Sequence, residues 1–233
     1  MLNQTILTKV KLRLNKLDSL DYPDLPVWTI EEAFNQAQSN FTRKTLQGID
    51  QTKTGAEGST RRIDDLNVLL TDWSPPLIKY TDYYETTDIP TDYLQFSRVS
   101  VMYNTDCCPP RKMVSYLKKV ADVELLLRDS YNKPSAEWAE TFHVIQSNRY
   151  RIYTDNTFTL SNPVITYYRS PRRIAILGSV NIYTGLVTTA DVECEFADDV
   201  IEVLINDTCS ILAGDIENDF QLSREQNIAQ SST

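Results

Sequence analysis

The side chains that most often do chemistry in proteins are sparse in this sequence. A single histidine, His143, lies in the strand-like segment ETFHVIQ, and the four cysteines are Cys107, Cys108, Cys194 and Cys209. A Ser-His-Asp or Cys-His site would have to use His143, yet no nucleophile motif such as GxSxG frames it. A structural histidine is the simpler interpretation, so the sequence predicts no catalytic residue and no enzyme.

The sequence also lacks the spacings of metal and cofactor sites. No CxxC is present, and His143 is distant from every cysteine along the chain, so we expect neither a zinc site nor a disulfide. The phosphate-binding patterns GxGxxG and GxxxxGK[ST] are absent. The acidic segments DIENDF and DIPTDY lack the spacing of a calcium loop. We therefore predict no metal and no cofactor.

Positive charge is concentrated in two short segments. STRRID contains Arg61 and Arg62, and YYRSPRRI contains Arg169, Arg172 and Arg173. The tyrosines beside the second cluster make a nucleic-acid site the alternative interpretation. Because the chain has a net charge of −9, contacts with carboxylates of this chain or of a neighbouring copy are favoured. We predict that these arginines serve protein contacts.

Negative charge dominates a long stretch near the end of the sequence. DVECEFADDVIEVLINDTCSILAGDIENDF, residues 191–220, has ten carboxylates and neither lysine nor arginine. Apolar residues recur there at steps of three and four, which predicts one amphipathic helix. Asp199, Glu202 and Glu217 fall on its polar face. With Arg224 of the polar tail that follows, they join the arginines as candidate residues of a subunit or partner interface.

The remaining elements follow from hydrophobic periodicity. Three helices are predicted first, over residues 2–17 (where a strand is the competing interpretation), 29–47 and 59–73. After Ser74–Pro76 the segments are rich in Tyr, Val, Ile and Thr, which predicts strands with one short helix among them. The predicted fold is α+β: a helical bundle of N-terminal and C-terminal helices with an inserted, mostly antiparallel β segment. The predicted parts are residues 1–74, 75–190, 191–221 and a tail, 222–233.

Bulk properties limit the classes of function. A length of 233 residues with 41% hydrophobic and 24% charged residues suits one globular domain or one domain with an insertion. The net charge of −9 argues against a general DNA clamp and against a membrane-surface binder. The sequence contains no run of eighteen apolar residues, so no membrane span is predicted. The first residues lack the features of a signal peptide. We expect the protein to stay in the compartment where it is made.

Several longer phrases, taken in order along nearly the whole chain, resemble one protein family. Among them are IPTDYLQFSRVSV, DCCPPRKMVSYLKKVADVELLLRDSYNKPSAEWAETF, YYRSPRRIAILGSVNIYTG and the acidic stretch quoted above. Their combination resembles the head–tail adaptor, or ring, proteins of crAss-like bacteriophages. The resemblance extends over about residues 10–219, and its specificity lies in the combination of phrases.

This resemblance implies a structural virion protein, made in the bacterial host cytoplasm and located at the head–tail junction. Such adaptors form a homo-oligomeric ring, usually of twelve copies, between the portal protein and the next tail ring protein. Genomic DNA passes through the ring without specific binding, and no membrane is involved. Two other classes stay open as alternatives: a soluble, non-catalytic binding or regulatory module, and a hydrolase built around His143 or the carboxylates.

Overall fold

The computed structural model describes residues 1–15, 25–47, 60–105, 108–180 and 184–215. The helices of the described residues are α1 (Asn3–Asn15), α2 (Val27–Gln47), α3 (Thr60–Leu66), α4 (Val123–Arg128) and α5 (Asp198–Asp215). Short 3-10 turns follow α3, at Asn67–Leu69, and precede α4, at Val120–Asp122.

The largest element is one mixed sheet of eight strands, in the order β1-β8-β4-β5-β6-β7-β3-β2. All of its pairings are antiparallel except that of β5 with β6, which is parallel. The strands are β1 (Leu70–Trp73), β2 (Leu77–Lys79), β3 (Tyr83–Thr86), β4 (Tyr93–Thr105), β5 (Cys108–Leu117), β6 (Glu140–Gln146), β7 (Arg149–Tyr153) and β8 (Thr159–Arg169).

The predicted fold class is therefore wrong. The fold is dominated by this mixed sheet accompanied by five helices, and it is not a helical bundle with an inserted β segment. The described parts of the chain form two compact units. Unit 1 comprises Met1–Leu69 and Ser170–Thr233, and unit 2 comprises Leu70–Arg169, which contains the whole sheet.

Unit 2 has its main core on one face of the sheet. Strands β4, β5, β7 and β8 contribute alternating inward side chains, as expected of half-buried strands. The ring centroids of Trp73, on the edge strand β1, and Tyr150, on β7, are 6.3 Å apart. Since four strands separate β1 from β7 in the sheet, this short distance shows that the sheet bends around the core. Irregular register along β4 accompanies the bend. The fully buried members include Met113, Tyr150, Ile152 and Ile165.

The parallel pairing of β5 with β6 requires a crossover connection, since a tight hairpin cannot join parallel strands. Residues 118–139 supply it, and they include α4. Val123, Leu126 and Leu127 of this crossover pack on a second, smaller core that contains Phe142 and Tyr153. The crossover therefore covers part of the second face of the sheet, whereas the outward side chains of β5 stay exposed.

In unit 1, α5 packs against α1 and α2. Most of its predicted apolar stripe is buried, with less than a tenth of the surface exposed at Val200, Ile201, Leu204, Ile205, Thr208 and Leu212. Ile211, also predicted in the stripe, is only partly buried. Cys209 and Ala213 are buried as well, so the contact face is wider than the predicted stripe. Residue 216, the last of the predicted stripe, lies outside the described residues.

Three predicted helix boundaries are wrong. The third helix ends at Leu66, and Leu70–Trp73 forms a strand whose Asp72 accepts a hydrogen bond from Thr166 at 2.6 Å. The acidic helix begins at Asp198, because the preceding DVECEF alternates like a strand and Val192 pairs with Ala175. The second helix begins at Val27, where the Pro26 carbonyl accepts from the Thr29 amide, so Thr29 does not start it.

Between β8 and α5, residues 175–180 and residues 184–192 pair with each other as two short extended segments, which together are called the arm below. Ala175 and Val192 exchange two backbone hydrogen bonds at its base, and Gly178 and Ser179 bond to Thr188 further out. Gly178 has φ +80°, a left-handed conformation that glycine adopts without strain. The arm therefore has the hydrogen bonding of a pair of antiparallel strands, and residues 181–183 lie outside the described part of the chain.

Candidate functional site

Two of the candidate interface arginines make ion pairs within unit 1. Arg173 pairs with Glu32 of α2, and the Arg172 guanidinium lies 3.8 Å from the Glu195 carboxylate. Glu195 also accepts from the Arg172 backbone amide at 2.9 Å. The arginine side chains are still 67% and 73% exposed, so each retains donors that can reach a second protein. The segment preceding the arm is thus fixed to α2 while its charges face outward.

The other candidate arginines do not join these two. Arg169 is the last residue of β8 in unit 2, partly buried and with a partner. The backbone of Arg61 and Arg62 belongs to α3, but their side chains lie outside the described part of the structure. Glu217 and Arg224, with the predicted tail, also lie outside the described residues.

The acidic helix uses its polar face inside the chain. Glu202 pairs with Lys9 and with Arg13 of α1, and Asn206 accepts a further hydrogen bond from Arg13. Asp199, in the first turn of α5, is exposed and has a partner. Of the predicted interface carboxylates, Glu202 is therefore largely committed to holding α1 against α5.

The sole histidine lies within the sheet. The Ser115 Oγ and His143 Nδ1 atoms are 2.8 Å apart, a distance at which a nucleophile and a base could interact. Both residues are buried, however, and aromatic rings of Phe96 and Tyr150 lie against the imidazole. Burial lowers the pKa of His143 to about 3, so it is a poor base at neutral pH. The pair is best understood as part of the core.

One ring nitrogen of this histidine is left without a hydrogen bond. Within the part of the chain that the structure describes, His143 Nε2 is buried and has no hydrogen-bond partner. Its neighbours are largely aromatic, which explains how the ring is accommodated and why its charged form is disfavoured. A tautomer with the proton on Nδ1 would donate to Ser115 and leave Nε2 as the unsatisfied acceptor.

A search of the described residues for metal and membrane sites is negative. No group of three or more His, Cys, Asp or Glu side chains lies close enough there to hold a metal ion. In the same residues no helix combines the length and the apolar character needed to cross a bilayer.

The arm is the first of two exposed surfaces in the structure that could contact another protein. Leu177, Val180, Leu186 and Val187 all project into solvent from it, and Leu186 is 70% exposed. Large apolar side chains gathered on one short projection are typical of protein contact sites. The arm is therefore the candidate interaction site of unit 1.

Two buried asparagines fix the base of the arm to the helices. Asn35 of α2 accepts from the Ile174 amide at 2.8 Å and donates to the Ile174 carbonyl at 3.2 Å, as a neighbouring strand would. Asn3 of α1 donates to the carbonyls of Ala175 and Val192, at 3.0 and 3.1 Å. Asn35 thus supplies partners for the buried amide and carbonyl of Ile174, and Asn3 adds a second donor to two carbonyls that are already bonded across the base of the arm. The backbone at the base of the arm is therefore held by hydrogen bonds from α1 and α2.

The second surface lies on unit 2, where the outward side of β5 meets the crossover. It is called the aromatic-basic face, and its principal members are Val114, Tyr116, Lys118, Tyr131, Lys133 and Trp138. Tyr131 is 96% exposed and Trp138 is 74% exposed. Several of these residues line a cavity of 340 Å³ whose wall also includes Glu140 and Phe142. Aromatic side chains exposed to this extent are rare on a surface that has no partner.

The loop that carries the two aromatic residues is well ordered by hydrogen bonds. The Asp129 carboxylate accepts from the Tyr131 amide at 3.0 Å and from the Asn132 side chain at 2.6 Å, and these bonds lower its pKa. Ser135 and Glu140 exchange two backbone hydrogen bonds. Ala139 has φ +52°, which turns the chain into β6. A loop backbone that is already held by hydrogen bonds loses less conformational entropy on binding, which favours its use in an interface.

Sequence reasoning missed both surfaces. Asn3 and Asn35 carry no motif, because an asparagine in a helix resembles any polar residue until its backbone partner is known. Tyr131 and Trp138 did leave a signal: they are aromatic residues in the polar, proline-containing segment DSYNKPSAEW, where no apolar periodicity calls for them. That combination could have indicated a binding loop.

Comparison with known proteins finds no family model and no curated protein sequence that matches this chain.

Proposed function

We propose that the protein is a structural virion subunit that forms a head–tail connector ring, joining the portal to the tail around the DNA passage. The observation that supports this most is the arm, a hydrogen-bonded projection with a fixed base and an exposed apolar surface. Such a projection has no evident use in an isolated chain, whereas it suits repeated contact between subunits.

The arrangement of exposed surfaces favours association of the head-to-tail kind. The arm belongs to unit 1 and the aromatic-basic face to unit 2, so they are different patches. When one patch of a molecule binds a different patch of the next copy, the contact is heterologous, and it closes into a ring if the rotation permits. The sequence resemblance supplies the rest of the proposal: about twelve copies, the portal on one side and the next tail ring on the other.

The negative net charge of the chain is consistent with a passage through which DNA moves without being bound. A ring of about twelve copies at −9 each would carry on the order of a hundred negative charges. Carboxylates within about 10 Å of the passage would disfavour phosphate contacts at physiological salt. Glu202 contributes little to this repulsion, since Lys9 and Arg13 neutralise it.

The principal alternative is a soluble, non-catalytic binding or regulatory module. It is favoured by the cavity beside Trp138, because a concave site lined by aromatic and basic side chains could hold a segment of an unrelated protein. The two proposals differ in stoichiometry. A connector subunit forms a closed oligomer of many copies, whereas a module stays monomeric or dimeric until its target is added.

Native mass spectrometry and negative-stain electron microscopy of the full chain would test the proposal. Samples would be measured alone, over a range of concentrations, and with the portal protein of the same virus. We expect a closed ring, either spontaneously or on the portal. A chain that stays monomeric or dimeric in every sample, and does not bind the portal, would reject the connector function. Hydrolase activity that is lost in His143→Ala would support an enzyme instead.

A further inference from the structure

The two exposed surfaces differ in charge, although Arg172 and Arg173 lie just before the arm and Arg172 pairs with Glu195. Residues 174–196, which include the arm, contain three carboxylates (Asp191, Glu193 and Glu195) and neither lysine nor arginine. Asp191 and Glu193 are exposed at the base of the arm. The arm therefore presents aliphatic side chains together with negative charge.

The aromatic-basic face is richer in cations, although its cavity wall also contains Glu140. Residues 108–120 contain four cations, Arg111, Lys112, Lys118 and Lys119, and no carboxylate, although the whole chain is strongly acidic. All four side chains are exposed. On the outward side of β5, Lys112 and Lys118 flank the apolar Val114 and Tyr116. Lys133 adds a further cation at the wall of the cavity.

The two surfaces also match in the kind of side chain they offer. The arm offers exposed aliphatic side chains, and the aromatic-basic face offers a cavity with Tyr116, Phe142 and Trp138 in its wall. The exposed aliphatic residues of the arm are Leu177, Val180, Leu186 and Val187. Tryptophan and tyrosine are enriched among the residues that contribute most of the binding energy in protein interfaces. Lysines around such residues select an acidic partner and increase the rate of encounter.

We propose that the arm of one copy docks into the aromatic-basic face of the next copy. This inference rests on the proposed ring, and it names the contact that would build it. Apolar side chains of the arm would occupy the cavity beside Trp138 and Tyr131. Asp191 and Glu193 would face Lys118 and Lys133. Because the arm and the aromatic-basic face are different surfaces, each copy would dock its arm into one neighbour and bind the arm of the other neighbour.

A mixing experiment separates this contact from every other mode of association. Leu186→Asp would disable the arm, and Trp138→Asp would disable the face; both residues are exposed, so neither change buries a charge. We expect each variant alone to associate at least about tenfold more weakly than the wild type. An equal mixture should form a one-to-one heterodimer, because it contains one intact arm and one intact face. Leu12→Asp, an equally drastic change on the exposed side of α1, is the matched control and should assemble normally.

Carbodiimide cross-linking supplies the second measurement, because it joins lysines to carboxylates in direct contact. With an equal mixture of isotope-labelled and unlabelled chains, we expect cross-links from Lys118 or Lys133 to Asp191 or Glu193 that join a labelled chain to an unlabelled one. The wild type should lose oligomer as salt rises, since the contact includes exposed charges.

Each outcome has a defined meaning. If both variants still form rings alone, the docking inference is wrong while the connector function stands. If the wild type is monomeric in all conditions, including with the portal, both proposals fall. If Trp138→Asp instead abolishes binding of a fluorescent oligothymidylate and leaves oligomers unchanged, the face is a single-stranded nucleic-acid site and the inference is rejected.

Discussion

Arg13 of α1 donates a hydrogen bond to Glu202 of α5 across 3.0 Å, and Lys9, one turn earlier in α1, pairs with the same carboxylate. The basic residues of the first helix thus meet the acidic helix that lies nearly two hundred residues later in the chain. This contact explains part of the acidic character of α5 without reference to any partner. It also removes Glu202 from the set of carboxylates free to bind another subunit.

The first prediction concerns this contact. Glu202→Lys should lower the free energy of unfolding by about 1–2 kcal/mol more than Glu202→Gln, because it places a third cation beside Lys9 and Arg13. The neutral variant should cost no more than about 1 kcal/mol, since the group is partly exposed. Urea unfolding at low salt would measure both. Glu137→Lys, at an exposed position, is the matched charge reversal and should change stability little. Equal losses for the two Glu202 variants would exclude an electrostatic role.

The burial of α5 supports a second prediction. Leu204 is completely buried, so Leu204→Asp should cost more than about 3 kcal/mol by placing an unpaired carboxylate among apolar side chains. The same substitution at Leu125, which is 73% exposed on α4, should change stability by less than about 0.5 kcal/mol. Chemical denaturation of the two variants would be compared with the wild type. Similar midpoints for both would show that the assigned face of α5 is wrong.

Periodicity predicted local structure well and the overall fold poorly. The apolar stripe around Leu204 and most strand segments follow directly from local spacing. The eight-stranded mixed sheet does not, because strand order depends on pairings between distant residues, such as that of Asp72 with Thr166. The same limit applies to DVECEF, whose acidic residues continue the composition of α5, although its Val192 pairs with Ala175 at the base of the arm.

The candidate site was predictable only in part. The segment SPRRI was identified from its charge, but the structure shows that Arg172 and Arg173 are already paired within the chain. The segment DSYNKPSAEW could have indicated a loop with aromatic residues, but the exposure of Trp138 depends on how that loop packs against the sheet. Surface geometry of this kind arises only when the crossover between β5 and β6 is in place.

The third prediction is a pH dependence that originates at His143. In the unfolded chain its pKa is the ordinary 6.5, whereas burial lowers the folded value to about 3. Above pH 6.5 neither state binds the proton. Between pH 6.5 and 3 only the unfolded state does, so the free energy of unfolding falls by about 1.4 kcal/mol for each unit that the pH falls. His143→Gln removes this titration and keeps a hydrogen-bonding group for Ser115.

Urea unfolding of the wild type and His143→Gln between pH 7 and pH 4 would check this. We expect His143→Gln to be less stable than the wild type at pH 7. The difference between their free energies of unfolding should shrink as the pH falls. Carboxylates contribute the same slope to both proteins, so they cancel in the difference. Two parallel curves would mean that His143 is protonated in the folded state as readily as in the unfolded one.

The fourth prediction concerns the thiols. Cys194 and Cys209 are buried, and burial raises the pKa of Cys194, so both should react slowly in the folded protein. Cys108 is exposed and should react quickly. After unfolding without reductant, all four cysteines of the sequence should be titratable with Ellman's reagent. A count of two would reveal a disulfide and contradict the expectation drawn from their spacing.

The last prediction tests whether Asn35 holds the arm in place. Asn35→Ala removes both hydrogen bonds to the Ile174 backbone and leaves a buried amide and carbonyl without partners, which should cost about 2–3 kcal/mol. The arm should also loosen, so amide exchange at Gly178 and Thr188 should accelerate more than exchange within α5. Asn40→Ala, at an exposed position of the same helix, is the matched control and should leave both quantities nearly unchanged. If exchange in the arm accelerates no more than exchange in α5, Asn35 supports unit 1 as a whole and has no special part in presenting the arm.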